Sequence, residues 1–299
     1  MRSTARSQID DSLEGVPLSS LAACMTDREE DALKLDVLEA ISRPAECVSP
    51  AGRYRFVETK NLNAFLMWIE RSFGFLTAVE IARTAIAAAH AEARGAWNGV
   101  GLVKLMGRHS GFIAAEATLA NSDVNFCLVP EVPVDLEGEH GFLAAIERRL
   151  VERQHAVVVV AEGASDVLMT PDGPVQHDKS GNRKLEDVGV FLRDRMKDHF
   201  RERGIEMNIK YIDPSYMIRG IQANASDSSF CLALGQHAVH AGLSGCTNML
   251  IGYWNQKFVH LPMKLATSGR RRIEPKGAFW NLVELSTGQP KMFAKPDEG

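Results

Sequence analysis

The chain has 299 residues, 45% of them hydrophobic and 24% charged, which is the composition of a globular protein with room for about two domains. Its 34 Lys and Arg residues and 38 Asp and Glu residues give a net charge of −4, which argues against binding nucleic acid over a broad face. No apolar run reaches the roughly 18 residues that span a bilayer. The five cysteines are odd in number and have no C-x-x-C spacing, which argues against a zinc site or a disulfide framework and favours a reduced, cytoplasmic protein.

Short apolar runs alternate with longer amphipathic stretches from Val100 onward, which predicts an α/β protein with a largely parallel sheet. The predicted strands cover residues 101–106, 124–130, 156–162, 208–213 and 249–253. The predicted helices cover residues 27–41, 78–93, 111–120, 140–153, 187–203 and 228–241, the last with Asp227 as its N-cap, and residues 165–183 are predicted to form a surface loop. In folds of this class, ligands bind beyond the carboxyl ends of the strands.

A first candidate site lies at residues 104–112, where a predicted strand runs into a turn and then a helix. Gly107 and Gly111 allow a ligand to approach the backbone, the following helix start offers N–H groups, and Arg108 adds a planar guanidinium. This combination favours a phosphorylated substrate. The alternative is a tight strand-to-helix turn that leaves Arg108 on the surface.

Two further candidates follow later strands. Glu162 comes directly after a buried strand, where a carboxylate can accept hydrogen bonds from sugar hydroxyls or, alternatively, cap a helix. Lys210 and Arg219 are too far apart along one segment to grip a phosphate side by side, so they bind two ends of a ligand, serve two subunits or are ordinary surface residues. His237 and His240 share a helix face, but no third ligand lies nearby in sequence, so no metal site is predicted.

A series of motifs occurs in one order between residues 70 and 293. They are Ser72-Phe-Gly-Phe75-Leu-Thr-Ala78, Gly99-Val-Gly-Leu-Val-Lys-Leu-Met-Gly-Arg108, Pro130-Glu131, Ala161-Glu162-Gly163 and Lys210-Tyr-Ile-Asp-Pro-Ser-Tyr-Met-Ile-Arg219. Together they closely resemble the ATP-dependent 6-phosphofructokinase family of the phosphofructokinase A type. The resemblance is nearest to its plant and protist branch and extends to pyrophosphate-using relatives.

The resemblance implies a phosphofructokinase-like fold of two α/β domains, a parallel-sheet sandwich with a nucleotide side and a sugar-phosphate side. It also implies a glycolytic reaction, in which the terminal phosphoryl group of ATP, or of pyrophosphate, moves to the 1-hydroxyl of fructose 6-phosphate with Mg²⁺ as cofactor. Residues 70–299 then form the fructose-6-phosphate-binding region with an incomplete nucleotide-binding domain. Residues 1–69 form a non-matching segment that is partly helical or disordered.

The resemblance further implies roles for individual residues. Arg108 stabilises the phosphoryl group in transfer, and Glu162 holds sugar hydroxyls. Tyr216 and Arg219 bind the sugar phosphate, whereas Lys210 reaches the site of a neighbouring subunit, so that the protein forms a homo-oligomer. The complete set of substrate-binding residues is Met106, Gly107, Arg108, Glu162, Lys210, Tyr216 and Arg219.

The resemblance breaks before Glu70. Family members carry a Gly-Gly-Asp-Gly-Thr-like phosphate loop and a Pro-Lys-Thr-Ile-Asp-Asn-Asp segment, whose first Asp is the base and whose second helps to bind magnesium. This chain has no Gly-Gly pair, and family spacing aligns Lys60, Asn63 and Phe65 with that segment, so Lys60 agrees but the base becomes Asn63 and the second acid Phe65. An amide cannot accept the proton, and a phenyl ring cannot bind a hard cation.

These departures predict negligible turnover by this chain alone, because losing a general base costs about 10²- to 10⁴-fold in rate. Three hypotheses stay open. The first is a phosphofructokinase gene that is truncated or misassembled at its front. The second is a non-catalytic sugar-phosphate-binding or regulatory protein that associates with intact family subunits, and the third is an enzyme whose other half is supplied in trans. No nucleic-acid or membrane partner is expected.

Overall fold

A computed structural model describes residues 70–169, 187–267 and 269–290. The predicted helix at 27–41, the base position Asn63 and most of the predicted loop at 165–183 lie outside the described residues. The described part of the chain divides into two units: a larger unit made of the described residues within 73–228 and 272–290, and a smaller unit made of those within 70–72 and 229–271.

The larger unit is built on a four-stranded parallel sheet. Its strands are β1 (Gly99–Leu105), β2 (Phe126–Leu128), β3 (His155–Ala161) and β4 (Asn208–Ile212), arranged in the order β2-β3-β1-β4. The central strands β1 and β3 are almost continuously apolar because helices cover both of their faces. The predicted α/β class with a parallel sheet is confirmed.

Helices cover both faces of this sheet. They are α1 (Phe75–Gly95), α2 (Phe112–Leu119), α3 (Phe142–Arg153), α4 (Ser165–Leu168), α5 (Val188–Glu202), α6 (Ser215–Gly220) and, near the carboxyl terminus, α9 (Ala278–Thr287). On one face, α1, α2 and α9 bury Ile86 and Trp280 against the sheet, and on the other, α3 and α5 bury Phe142 and Leu192. The start of the predicted surface loop at 165–183 is helical, since it forms α4.

The first turn of α1 is capped from a distant part of the chain. Gly74 precedes α1 and has no side chain to cap it, and the buried Asp227 supplies the acceptor instead. Its Oδ2 accepts hydrogen bonds from the Thr77 N–H at 2.8 Å and the Thr77 hydroxyl at 2.7 Å. The prediction that Asp227 is the N-cap of its own helix is wrong. Helix α7 (Ala225–Leu243) begins earlier, and Asn224 Oδ1 accepts from the Asp227 N–H at 2.9 Å.

The smaller unit combines residues 229–243 of α7 with the strands β5 (Met249–Trp254) and β6 (Lys257–Pro262) and the short helix α8 (Met263–Ala266). The two strands pair antiparallel through a two-residue turn at Asn255 and Gln256, both with positive φ. Phe230 of α7 packs against Tyr253 and Phe258 of this hairpin, with ring centroids 5.4 and 5.8 Å away. Within the described part of the chain, no helix is both long and apolar enough to span a membrane.

Candidate functional site

The carboxyl ends of β1 and β3 meet at one edge of the sheet. Leu105 pairs with Ala161 as their last residues in register, so Met106 and Glu162 are the first residues beyond the ladder on each strand. The Gly163 N–H donates a hydrogen bond to the Gly107 carbonyl oxygen at 2.9 Å. Two of the predicted segments, distant in sequence, therefore lie side by side.

Close backbone contact at this edge requires glycine at two positions. Gly107 has a φ of +139°, a conformation that side chains rarely adopt. At Gly163, a Cβ would lie 2.1 Å from the Arg108 carbonyl oxygen, well inside van der Waals contact. The turn that carries Arg108 is thus pressed directly against the segment that carries Glu162.

Glu162 begins a single 3-10 turn, Glu162–Ala164, and its side chain is half-buried. The residue before this turn, Ala161, makes no side-chain cap. Among the described residues, no side chain donates a hydrogen bond to the Glu162 carboxylate. The carboxylate therefore has acceptor capacity available for the hydroxyl groups of a ligand.

The Gly111 N–H, directly before α2, is already satisfied by protein. The Gly111 N–H donates to both carboxylate oxygens of Glu131, at 3.1 and 3.0 Å, and the same carboxylate accepts from the Ile273 N–H at 3.1 Å. Of the N–H groups that this helix start is predicted to offer to a phosphate, the Gly111 amide is therefore taken, and the Glu131 carboxylate places a negative charge where an anion would bind.

Helix α6 brings two more predicted residues to the same edge. Arg219 Nε donates a hydrogen bond to the Met106 sulfur at 3.2 Å, so the guanidinium lies against the turn after β1. Tyr216 is 86% exposed on the same short helix. The structure thus brings together Met106, Gly107, Arg108, Glu162 and Arg219, with Tyr216 on the exposed side of α6.

Lys210 does not join this group. It lies within β4, opposite Gly101 of β1, and its side chain is exposed. Met106 lies five positions after Gly101, which amounts to about 16 Å along a strand. The proposed reach of Lys210 into a neighbouring subunit stays a prediction.

A charged cluster that sequence reasoning missed lies beside the site. Lys104 Nζ lies 3.0 Å from Asp187 Oδ2 and 2.8 Å from Asp213 Oδ2, and the Tyr211 hydroxyl donates to Asp187 Oδ1 at 2.8 Å. We call these four residues the Lys104 cluster. Burial alone lowers the pKa of Lys104, but its hydrogen bonds to Asp213 and Asp187 outweigh burial and raise the pKa above the ordinary value.

Acidification should weaken the Lys104 cluster. Burial raises the pKa of Asp187 and of Asp213, but hydrogen bonds, first of all from Lys104, outweigh burial and leave both pKa values below the ordinary carboxyl value. Their stabilising effect is therefore fully present above the unfolded-state pKa of about 3.9 and is lost as the pH falls through the folded-state values. We expect the free energy of unfolding, measured with urea, to fall between about pH 5 and pH 2. In the variant Lys104→Met this fall should be smaller, and an equal fall in both proteins would contradict the assignment.

The described residues offer no site for a metal ion. Within residues 70–169, 187–267 and 269–290, no three or more His, Cys, Asp or Glu side chains form a group that could hold a metal ion. The position that the family resemblance gives to a magnesium-binding acid is Phe65, which offers no oxygen ligand. Neither the described residues nor Phe65 therefore supplies the oxygen ligands that a magnesium ion needs.

The fold and this edge define a class of protein. Helices cover both faces of a parallel sheet, and two arginines and a carboxylate gather where the strands end, as in α/β proteins that bind small polar ligands at the carboxyl ends of their strands.

Comparison with known proteins gives the family. The family model described as Phosphofructokinase matches residues 66–242. The ATP-dependent 6-phosphofructokinase of Borreliella burgdorferi is 49% identical over 237 residues, which cover 77% of this chain and 53% of that protein. ATP-dependent 6-phosphofructokinase 7 of Arabidopsis thaliana is 46% identical over 230 residues, which cover 77% of this chain and 47% of that protein. The pyrophosphate-dependent phosphofructokinase of Marinobacter aquaeolei shares the fold, with a TM-score of 0.51 at 17% identity over 75% of this chain and 57% of that chain.

The chain belongs to the phosphofructokinase family. The resemblance drawn from the motifs is thereby confirmed, with plant proteins among the similar sequences. The chain spans about half the length of the curated relatives it matches.

Proposed function

We propose that the described region binds fructose 6-phosphate as the sugar-phosphate side of an ATP-dependent 6-phosphofructokinase. The observation that carries the proposal is the meeting of Met106, Gly107, Arg108, Glu162 and Arg219 at one edge of the sheet. Family membership supports the choice of ligand, because the two relatives with 49% and 46% identity are both named ATP-dependent 6-phosphofructokinase.

The chemistry of the edge suits a phosphorylated sugar. The guanidinium groups of Arg108 and Arg219 can each donate two parallel hydrogen bonds to phosphate oxygens. Glu162 accepts hydrogen bonds from sugar hydroxyls, and the exposed Tyr216 can donate from its hydroxyl to the phosphate at position 6. In the proposed reaction, Arg108 additionally offsets the negative charge on the phosphoryl group as it moves to the 1-hydroxyl.

Turnover by this chain alone is expected to be negligible. Asn63 stands at the base position, and its amide cannot take the proton of the 1-hydroxyl. Such a loss costs about 10²- to 10⁴-fold in rate. ATP is the proposed donor, Mg²⁺ is the family's expected cofactor, and a cytoplasmic homo-oligomer with Lys210 at a subunit contact is the proposed setting.

A second candidate is a non-catalytic protein that binds the sugar phosphate and associates with intact family subunits. Asn63 and Phe65 favour it, because they remove proton transfer and metal binding without touching the residues gathered at the sheet edge. Both candidates predict negligible turnover by the chain alone, so a coupled assay with ATP separates them through the added protein. Turnover after addition of a separate amino-terminal half of a family member identifies half of an enzyme, whereas a changed rate of an added intact family subunit, with no turnover from the two halves, identifies the binding partner.

Titration calorimetry tests the shared step, which is binding of fructose 6-phosphate. We expect the chain to bind fructose 6-phosphate but not fructose, and Arg108→Ala to weaken binding by roughly 10- to 150-fold, since a hydrogen bond to a charged group contributes about 1.5–3 kcal/mol. The control is Arg148→Ala on α3, which removes an exposed arginine that donates to the Glu139 carbonyl oxygen at 3.1 Å, away from the proposed site. Equal binding by both variants, or no binding by the unaltered chain, would refute the proposal.

A further inference from the structure

Lys104 continues the connection between β1 and β4 beyond their hydrogen-bonded ladder. The last pair in register is Val103 with Ile212, and Lys104 and Asp213 are the next residue on each strand. Main-chain pairing ends there, and the ion pair from Lys104 Nζ to Asp213 Oδ2, at 2.8 Å, takes its place. The side chain of Lys104 is only 13% exposed, so solvent screens this pair less than a surface pair.

Asp213 uses its second carboxylate oxygen to begin helix α6. Its Oδ1 accepts hydrogen bonds from the Ser215 N–H at 3.0 Å and from the Ser215 hydroxyl at 2.5 Å. An aspartate that accepts from the residue two positions later fixes the backbone of a turn. One carboxylate therefore connects the end of β1 to the first residue of α6.

The far end of α6 returns to the same strand. Arg219 donates to the sulfur of Met106, which lies two residues after Lys104. Helix α6 is thus held to the end of β1 at both of its ends, by Asp213 on Lys104 and by Arg219 on Met106. Because α6 has only six residues, it cannot be stable without such contacts.

We propose that Lys104 is a positioning residue for the sugar phosphate. By holding Asp213, it fixes the start of α6 and with it the position of Tyr216 and Arg219 relative to Arg108. This inference rests on the proposed function, because those three residues are the proposed phosphate ligands, while Lys104 contacts carboxylates of the protein rather than the substrate.

Charge balance gives Lys104 a second effect. Asp187 and Asp213 each lie within 3.0 Å of the same ammonium group. Without Lys104, two carboxylates within about 6 Å of each other would face one another next to a site for a dianionic ligand. Their repulsion would displace the start of α6, and their field would oppose phosphate binding.

The second partner of Lys104 provides a matched control. Asp187 is the N-cap of α5, where its Oδ1 accepts from the Gly189 N–H at 2.9 Å and the Val190 N–H at 3.2 Å. Helix α5 carries none of the proposed substrate-binding residues. Asp187→Asn and Asp213→Asn therefore each remove one anionic partner of Lys104, but only Asp213 connects it to α6, and asparagine is also a good N-cap.

The experiment compares Lys104→Met, Lys104→Arg, Asp213→Asn and Asp187→Asn with the unaltered chain. It measures the affinity for fructose 6-phosphate by calorimetry at pH 7 and the amide hydrogen exchange of residues 213–220 without ligand. We expect Lys104→Met and Asp213→Asn each to lower the affinity about tenfold and to speed exchange over residues 213–220. Lys104→Arg should keep the affinity within about threefold, and Asp187→Asn should stay close to the unaltered chain.

Several results would overturn the inference. One is unchanged affinity in Lys104→Met, and another is an equal effect of Asp213→Asn and Asp187→Asn, which identifies the cluster as a general stabilising ion pair. If Lys104→Met does not fold, the comparison of Asp213→Asn with Asp187→Asn tests the inference in its place. If the unaltered chain binds no fructose 6-phosphate, the proposed function is refuted, but the role of Lys104 in holding α6 can still be tested. Exchange then decides this inference: faster exchange over residues 213–220 in Asp213→Asn alone supports it, and equal exchange in both aspartate variants refutes it.

Discussion

Gly163→Ala is expected to abolish measurable binding of fructose 6-phosphate, with an affinity loss of at least about 10²-fold. A Cβ at this position would lie 2.1 Å from the Arg108 carbonyl oxygen and 2.8 Å from the Gly107 carbonyl oxygen, both of which are backbone atoms. A flexible side chain could move aside, but here the turn itself must shift away from β3. Arg108 would then move relative to Glu162, and the overpacking should lower the free energy of unfolding by about 1–3 kcal/mol.

The matched control for this substitution is Gly95→Ala at the end of α1. A Cβ there would meet nothing within 4 Å, so the substitution should leave binding unchanged and stability equal or slightly higher. Calorimetry with fructose 6-phosphate and urea denaturation of both variants provide the measurements. Binding by Gly163→Ala within threefold of the unaltered chain would show that the two segments are not in the close contact described.

Asp227→Ala is expected to lower the free energy of unfolding by about 3 kcal/mol. Its carboxylate is fully buried and accepts hydrogen bonds from the N–H and the hydroxyl of Thr77, 150 positions away in the sequence. Without it, two donors in the first turn of α1 are left buried and unsatisfied, each at a cost of about 1–3 kcal/mol. The favourable interaction of an anion with the helix N-terminus is lost as well.

Urea denaturation with graded substitutions checks this assignment. Asp227→Asn keeps one acceptor oxygen and should cost less than Asp227→Ala, while Thr77→Ser keeps both donors and should cost less than Thr77→Val. Asp194→Ala is the surface control, because Asp194 pairs with Arg193 in an exposed position, where such pairs contribute about 0–1 kcal/mol. A stability of Asp227→Ala equal to that of the Asp194→Ala control would contradict the capping role.

Sequence reasoning located the strands well because each buried strand is a short apolar run. The four predicted strands of the parallel sheet are all present, with ends displaced by at most two residues. Sequence reasoning missed β6 because the hairpin turn is Asn255-Gln256. Glutamine at a position with φ of 62° is not a usual turn signal. The same reasoning also missed α6 and α9, which are too short or too close to the carboxyl terminus to stand out by periodicity.

The candidate site likewise has residues that the sequence predicts and contacts that it does not. A strand end can be read from the sequence, so Gly107, Arg108 and Glu162 were found from strand boundaries and gained a role from the family motifs, whereas Met106 was named from the motifs alone. The contact between Arg219 and Met106 spans 113 positions, and no local pattern predicts it. The positions of the base and of the metal-binding acid, Asn63 and Phe65, lie outside the described part of the chain.

The amino-acid sequence by itself determined the class of fold, the family and the residue types available for binding a sugar phosphate, because apolar periodicity and contiguous motifs are local properties of a chain. Only the tertiary structure decided which polar groups are already satisfied by protein. Glu131 occupies the amide of Gly111, Asp227 caps α1, and Lys104 joins β1 to α6 through Asp213. The physical reason is that a hydrogen bond or an ion pair depends on distances of about 3 Å between atoms, and residues far apart in the sequence reach such distances only through folding.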